Sequence, residues 1–557
     1  MPTGEVMGTP GGGGGSHVGR AGCETSTGAR AFSDRRRCDV TTVGIGVGTR
    51  NRFVTALTAV AGDTRHPGRA WVQRGDPSVS VQCTLMVIRA GHDALRKSGV
   101  GPTSQARPVD AAYVLEADRG HHLDTLFFWV FDSGSGTPPT PAEITEHFRR
   151  RAPFYAPMSR RFVRVPGHLD HAYWVADDQP VEQRVVHDQR TGLDWPALID
   201  ALEQLAATSL DVRVTAWRID VFHGVRNVPG TTAPGTVVVF RGNHSLITGP
   251  ILDPLSEALF GDGIEPVHFP GLGPVVRRVN RVLAAARGIA RAPRATVHYL
   301  RTMRVALRDA ERAQAGAAPG SAPPASLTAT TLNRDPGDRR TLLVLRLGRA
   351  GQLPKGFTVT ALALTAVSVA LERYLTGVAG QCPPDLTAFV TIALGAEAEA
   401  LGINSIDWTD VALHPGIDSI RGRAAAVLAS LVERREASSL RHLTDTNAIP
   451  SFLLPAELAA NRRRLRARTG PRMHTMLTSI RIGNDGPWAL AGRPMLFGTL
   501  CPPLTPEATV THGLIGLGDD LTLTVLTSPE IMPDPQRYAA LLEAAFEEVA
   551  TALRPGA

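Results

Sequence analysis

The heptapeptide Asn243-His244-Ser245-Leu246-Ile247-Thr248-Gly249 follows the β-rich run Thr236-Val237-Val238-Val239-Phe240. It precedes a helix expected from Ile251 to Phe260. A strand that ends at a polar histidine, with Gly249 and Pro250 breaking the chain next, sets an imidazole on a turn rather than in a core. Turns at strand ends are where a rigid scaffold presents chemistry. Imidazole is the side chain best suited to take a proton near neutral pH, so His244 is a candidate general base. A histidine that merely caps a loop fits the same pattern. His121-His122, followed by Leu123-Asp124-Thr125, is the one adjacent histidine pair and reads as a surface turn.

The elements that must position His244 can be read from periodicity. Residues 106–260 alternate short strands and helices. Leu126 to Phe131 is a buried strand, Asp194 to Ser209 an amphipathic helix, and Trp217 to Phe222 and Thr236 to Phe240 are strands. Residues 261–330 form a helical connector and linker. There Val275, Val276, Val279, Val282, Leu283 and Ala286 recur at helical spacing among Arg277, Arg278, Arg281, Arg287, Arg291 and Arg294. A basic amphipathic helix of this kind lies on anionic lipid or packs on the two domains with its basic face in water. Ala313 to Ala325 reads as an Ala/Gly/Pro/Ser linker. Residues 331–557 make a second α/β unit, closed by a helix from about Gln536 to Leu553. Asp534 is its N-cap, and Tyr538, Leu541, Leu542, Ala545, Phe546, Val549 and Leu553 share one face. Residues 1–105 have little periodicity, a glycine run from Gly11 to Gly15 and the Arg35-Arg36-Arg37 cluster. They read as a disordered extension, or as sequence ahead of a true translation start nearer Met86.

Composition excludes several functions. The 557 residues are 43% hydrophobic, enough for sizeable cores in two or more domains. The longest apolar candidate, Thr358 to Leu371, is too short and too threonine-rich to span a bilayer. Five scattered cysteines (Cys23, Cys38, Cys83, Cys382, Cys501) have neither metal spacing nor a disulfide framework, which suits a reducing cytoplasm. No metal site is expected. The formal charge of +7 comes almost wholly from arginine, with Lys97 and Lys355 the only lysines. Aromatics are 5% and not interleaved with the arginines, which argues against nucleic acid. Gly44-Ile45-Gly46-Val47-Gly48 lacks the spacing and downstream acid of a dinucleotide site.

The heptapeptide resembles a degenerate H-H-x-x-x-D-G, the signature of acyl-CoA-dependent acyltransferases of the chloramphenicol acetyltransferase-like superfamily and of peptide-synthetase condensation domains. Other segments resemble, in order, motifs of the bacterial wax ester synthase/diacylglycerol acyltransferase family. Val109-Asp110-Ala111-Ala112-Tyr113-Val114-Leu115-Glu116 is similar to L-D-A-x-F-L-x-x-E, and Leu210-Asp211 with Trp217 to P-L-D-x-x-x-P-L-W. Leu332-Asn333-Arg334-Asp335-Pro336-Gly337-Asp338-Arg339-Arg340 is similar to L-N-x-x-x-G-x-R-R, and Thr358 through Leu375 to T-V-N-D-V-x-L-A…A-L-R-R-Y-L. Leu490-Ala491-Gly492, His512-Gly513-Leu514 and Pro533-Asp534-Pro535 complete the series, which covers roughly residues 106 to 555.

The resemblance implies an α/β fold of two similar acyltransferase-like halves, each a mixed sheet with helices, around a central substrate tunnel. It implies that His244 is the catalytic base, with Asn243, Thr248 and Gly249 in supporting positions. Long-chain acyl-CoA is the expected donor and co-substrate, with no cofactor. Diacylglycerol or a long-chain alcohol is the expected acceptor. The expected location is cytoplasmic, peripherally bound to the inner face of the plasma membrane or to lipid droplets. The departures are Asn243 for the first histidine, Thr248 for the structural aspartate, Thr360-Ala361 for N-D, and Thr478-Ser479-Ile480 for S/T-N-V. Thr248 can keep a hydrogen bond but not an ion pair. These changes leave room for a catalytically weak or inactive lipid-binding relative, and for a transferase with a polyketide or peptidyl acceptor.

Overall fold

The structure, a computed structural model, describes residues 104–554 other than 118–122, 135–136, 191, 213, 249–250, 264–265, 268, 270–271, 274, 317–325, 350–352, 394–402, 405, 445–453, 459–469 and 484–487. The expectations for the N-terminal extension up to residue 103, for His121 and His122, and for Gly249 lie outside the described residues.

The first half runs α1 (Pro108–Ala117), β1 (Asp124–Asp132), α2 (Pro141–Arg151), β2 (Arg160–Val163), β3 (Tyr173–Ala176), β4 (Val185–His187), α3 (Trp195–Ala207), β5 (Trp217–Val225), β6 (Gly235–Asn243) and α4 (Leu252–Phe260). A long helix, α5 (Arg281–Gly316), follows. The second half runs β7 (Thr341–Arg349), α6 (Val359–Ala379), β8 (Thr387–Ala393), β9 (Ile406–Ala412), α7 (Ile420–Thr444), β10 (Thr475–Ile482), β11 (Ala489–Leu490), β12 (Arg493–Cys501), β13 (Thr511–Leu517), β14 (Asp520–Thr527) and α8 (Pro535–Ala552). Twelve strands form two mixed six-stranded sheets, ordered β11-β12-β1-β6-β5-β4 and β7-β14-β13-β10-β8-β9, and β2 pairs with β3 in a separate ribbon. The expected architecture of two α/β halves, each with a mixed sheet, is what the chain adopts.

The sequence of β1, Asp-Thr-Leu-Phe-Phe-Trp-Val-Phe-Asp, explains its central place. Pleating sends alternate side chains to opposite faces. Phe127, Trp129 and Phe131 enter one core with Phe148, Trp217 and Phe260. Leu126, Phe128 and Val130 enter a second core with Leu198, Leu202 and Phe222. A strand buried on both faces reads as one apolar run, and each such side chain contributes about 1.5–3 kcal/mol by leaving water. β6 repeats the pattern, with Val238 and Phe240 on one face and Val237 and Val239 on the other.

The second half lends strands to the first sheet. β12 belongs to the C-terminal segment but pairs antiparallel with β1, with Leu126 opposite Cys501 and Val130 opposite Phe497. Its end crosses β13 of the other sheet at close range. A Cβ on Gly513 would lie 1.9 Å from the Leu500 carbonyl oxygen, so only glycine fits there.

The helices follow their caps and apolar faces. α3 starts at the Asp194 N-cap and buries Leu198, Ala201 and Leu202. α8 starts at Asp534 with Pro535 in its first turn and buries Tyr538, Leu542, Ala545, Phe546 and Val549. α6 is capped by Thr358 and ends at Gly380, whose φ of 75° suits glycine. It is longer than the run Thr358 to Leu371, and its 21 residues are long and apolar enough to cross a membrane. It is instead the core helix of the second half, with Ala361 to Leu371 wholly buried.

The connector departs from expectation. Val275, Val276 and Val279 precede the helix rather than belonging to it, and α5 continues to Gly316, into the expected linker. Its small side, at Ala284 and Gly288, faces the protein; a Cβ on Gly288 would lie 2.0 Å from the Leu169 carbonyl. Its apolar stripe faces outward, with Val282 77%, Ile289 58%, Val297 48% and Leu300 48% exposed.

Candidate active site

His244 is placed by a tight fold-back at the end of β6. The Asn243 N–H still bonds the Ala216 carbonyl at 2.9 Å, completing the strand. The Asn243 Oδ1 then accepts the Ser245 N–H at 3.1 Å, an Asx turn that reverses the chain. The Leu246 N–H closes the turn on the Asn243 carbonyl at 2.8 Å. Ile247 folds onto Gly242, where an added Cβ would come within 2.2 Å of the Ile247 side chain. Leu246 and Ile247 are buried and anchor the turn. The histidine is therefore on a turn, as expected, but it is also buried.

The first helix and a distant loop hold the imidazole. Asp110 and Tyr113, three residues apart, lie on one face of α1. The Tyr113 ring stacks on His244 with centroids 4.2 Å apart and planes 12° apart. The His244 Nδ1 lies 2.8 Å from the Asn404 Oδ1. The Asn404 Nδ2 donates to the His244 carbonyl at 2.8 Å and to the Asp110 Oδ1 at 2.9 Å. Asp110 also accepts the N–H groups of Asn404 at 2.9 Å and Ile403 at 3.1 Å. Burial pushes the Asp110 carboxyl up to about 6, against the opposing pull of the Asn404 and Ile403 hydrogen bonds and of the Arg107 charge. Its folded value exceeds the unfolded one. Asp110 therefore favours the fold below about pH 4, and that contribution is lost as pH rises through about 6.

Sequence reasoning missed Asn404. It lies 160 residues from His244 in a segment, Gly402-Ile403-Asn404, with no metal or triad spacing. Asp110 was visible only as part of a motif with no role attached.

His244 opens on a cavity of about 370 Å³ where the halves meet. Tyr113, Leu123, Phe389, Met476 and Leu500 line it. Arg472 and Glu507, both exposed, stand at its solvent side. The lining is mostly apolar, as a lipid chain requires. Among the described residues no cluster of histidine, cysteine or carboxylate side chains could hold a metal.

Thr478 lines the cavity, whereas Thr248, His512, Thr360 and Ala361 are not among its lining residues. Thr248 is fully buried, and among the described residues its hydroxyl makes no hydrogen bond, contrary to the bond expected of it. Thr248→Asp is thus expected to lower the melting temperature through a buried carboxylate, unless a cation comes within reach. Thermal unfolding followed by circular dichroism checks this. His512 lies wholly inside the second half, its Nε2 2.8 Å from the Tyr538 hydroxyl. Burial lowers its imidazole to about 4, so it stays neutral and serves packing. Thr360 and Ala361 sit in the first turn of α6, where the Thr358 side chain accepts the Ala361 N–H at 3.1 Å.

Comparison with known proteins bears on the second half. A family model described as WS/DGAT C-terminal domain matches residues 433–550. The matched segment begins within α7 and includes β10 to β14 and nearly all of α8. It supplies Met476 and Leu500 to the cavity. No curated protein matches the chain.

Among solved structures, the chain resembles a wax ester synthase/diacylglycerol acyltransferase from Marinobacter aquaeolei VT8. The TM-score is 0.52 at 15% identity, over 80% of this chain and 98% of that one. It also resembles trichothecene 15-O-acetyltransferase from Fusarium sporotrichioides, with TM-score 0.48 at 11% identity over 81% and 95% of the two chains. The first condensation domain of the CDA synthetase gives 0.48 at 14% identity over 83% and 98%.

Proposed function

We propose that the protein is an O-acyltransferase that moves a long-chain acyl group from acyl-CoA to diacylglycerol or to a long-chain alcohol. The observation that carries this reading is a held, buried histidine opening on an apolar cavity, in a chain whose residues 433–550 match the WS/DGAT C-terminal domain model. A hydroxyl attacks a thioester poorly unless a base removes its proton during attack. Neutral His244 takes that proton as the oxygen adds to the carbonyl carbon. The tetrahedral intermediate collapses with loss of CoA thiolate, which takes the proton back from the imidazolium. These steps call on no metal, no prosthetic group and no covalent enzyme intermediate.

The test is acyl transfer by purified protein from labelled palmitoyl-CoA to dioleoylglycerol and to hexadecanol, separated by chromatography. Labelled triacylglycerol or wax ester is expected. Tight binding of both substrates without product would instead favour a lipid-binding relative, a reading supported by a Thr248 hydroxyl that makes no hydrogen bond among the described residues.

Such substrates reside in lipid, and α5 suits a lipid surface. Val282, Ile289, Val297 and Leu300 recur along its exposed side. Arg287, Arg291, Arg294 and Arg301 run beside them on the same helix. The protein is expected to pellet with anionic vesicles and less with neutral ones. Binding should weaken in salt, because the Debye length falls from ~10 Å at 0.1 M to ~3 Å at 1 M. Ile289→Asp with Val297→Asp should weaken pelleting further. Equal, salt-insensitive binding to both vesicle types would remove the arginines from the account.

A further inference from the structure

We propose that Asn404 and Asp110 are positioning residues that keep the proton of neutral His244 on Nδ1, leaving Nε2 as the nitrogen that takes the substrate proton. The proposal rests on the reading above for its catalytic consequence. The assignment of the tautomer stands on hydrogen bonding alone.

A carboxylate can only accept hydrogen bonds, and so can a backbone carbonyl. The Asn404 Nδ2 faces one of each, the Asp110 Oδ1 at 2.9 Å and the His244 carbonyl at 2.8 Å. Turning the amide over would set its oxygen against two oxygens. The Asn404 Oδ1 is therefore committed to its other side, where the His244 Nδ1 stands at 2.8 Å. An amide oxygen accepts only, so the nitrogen it meets must carry hydrogen. The order of acceptors and donors thus runs from Asp110 through one amide to the imidazole without ambiguity. The Ile403 N–H holds the other carboxylate oxygen, Oδ2, and the Asn404 N–H adds a second bond to Oδ1. Asp110 is 1%, Asn404 3% and His244 8% exposed, so water scarcely competes for these bonds. Tyr113 stacks on the ring and fixes its plane, leaving rotation about the side chain as the only freedom for Asn404 to restrain.

The carboxylate has a second effect. When His244 takes a proton, its positive charge forms one amide away from Asp110. The polarised Asn404 oxygen then holds the imidazolium more strongly than an isolated amide would. Arg107 is the charged group facing Asp110. Among the described residues, Tyr113 is an ionisable group in contact with the imidazole.

The test begins with the resting full-length protein, labelled with nitrogen-15 at histidine. Long-range proton–nitrogen correlation at pH 8 is expected to show His244 protonated on Nδ1, its signals assigned by their loss in His244→Gln. Asp110→Asn gives the amide a donor to face and frees Asn404 to turn over. That variant is expected to lose the Nδ1–H preference. Its kcat should fall roughly 10- to 100-fold with KM little changed. The acid limb of its kcat/KM profile should move to lower pH by about 0.5–1 unit, since the imidazolium loses an attractive charge. Asn404→Ala should show the same kcat loss with mixed tautomers. A parent protein carrying hydrogen on Nε2 overturns the assignment whatever its activity. So do variants that keep the parent's tautomer, kcat and acid limb. A parent with the Nδ1–H form and no acyl transfer to either acceptor sinks the proposed function while the tautomer assignment holds.

Discussion

His244→Ala is expected to reduce acyl transfer by about 10²–10⁴-fold, the usual contribution of a positioned general base. The rate is measured as labelled triacylglycerol or wax ester formed per minute under saturating donor. The burial of His244 adds a cost that a loop histidine would not have. Its loss removes the ring stacked on Tyr113 and leaves the Asn404 Oδ1 without the nitrogen it faces. An unsatisfied buried acceptor costs about 1–3 kcal/mol, so the variant should remain folded but melt lower. Parent-like turnover with a lowered melting temperature would make His244 a structural histidine and end its assignment as base.

Gly513→Ala is expected to be strongly destabilising. Its Cβ would lie 1.9 Å from the Leu500 carbonyl, an atom of paired backbone that cannot rotate away. Either β12 or β13 must shift, and overpacking of this kind costs about 1–3 kcal/mol or more. Leu500 also lines the cavity, so activity should fall along with stability. Gly516→Ala is the control on the same strand. Its Cβ would meet the Leu521 Cδ2 at 3.5 Å, an ordinary contact, and the variant should unfold with the parent in urea. Equal urea midpoints for both variants would show that the strand crossing is looser than drawn.

What could be read from the sequence was what local pattern encodes. The run Leu126 to Phe131 announced a strand buried on both sides, and Asp194 and Asp534 announced their helices by capping. His244 was legible because a strand, a polar residue and a chain breaker stand together. The rest depended on contacts that no local pattern carries. Nothing in Arg493–Cys501 says that this strand leaves its own half to pair with β1. Nothing near Asn404 says that its amide meets a histidine from the other half. The connector misled because an amphipathic stripe has the same spacing whichever way it faces. Here the small residues Ala284 and Gly288 took the inner side, and Val282 was left outside.

The lending of β12 to the first sheet also sets a timetable for synthesis on the ribosome. Every strand from β1 to β6 emerges before the one that must cover the free side of β1. Until Cys501 has left the exit tunnel, the first sheet waits with the backbone of its most hydrophobic strand unpaired. An uncovered edge of that kind invites a second nascent chain to pair there. Chains truncated before Arg493 should therefore aggregate rather than yield a smaller folded domain. Slower translation ahead of β12 would lengthen the exposure, so yield should depend on the pace of elongation and on chaperones that shield the edge in the meantime.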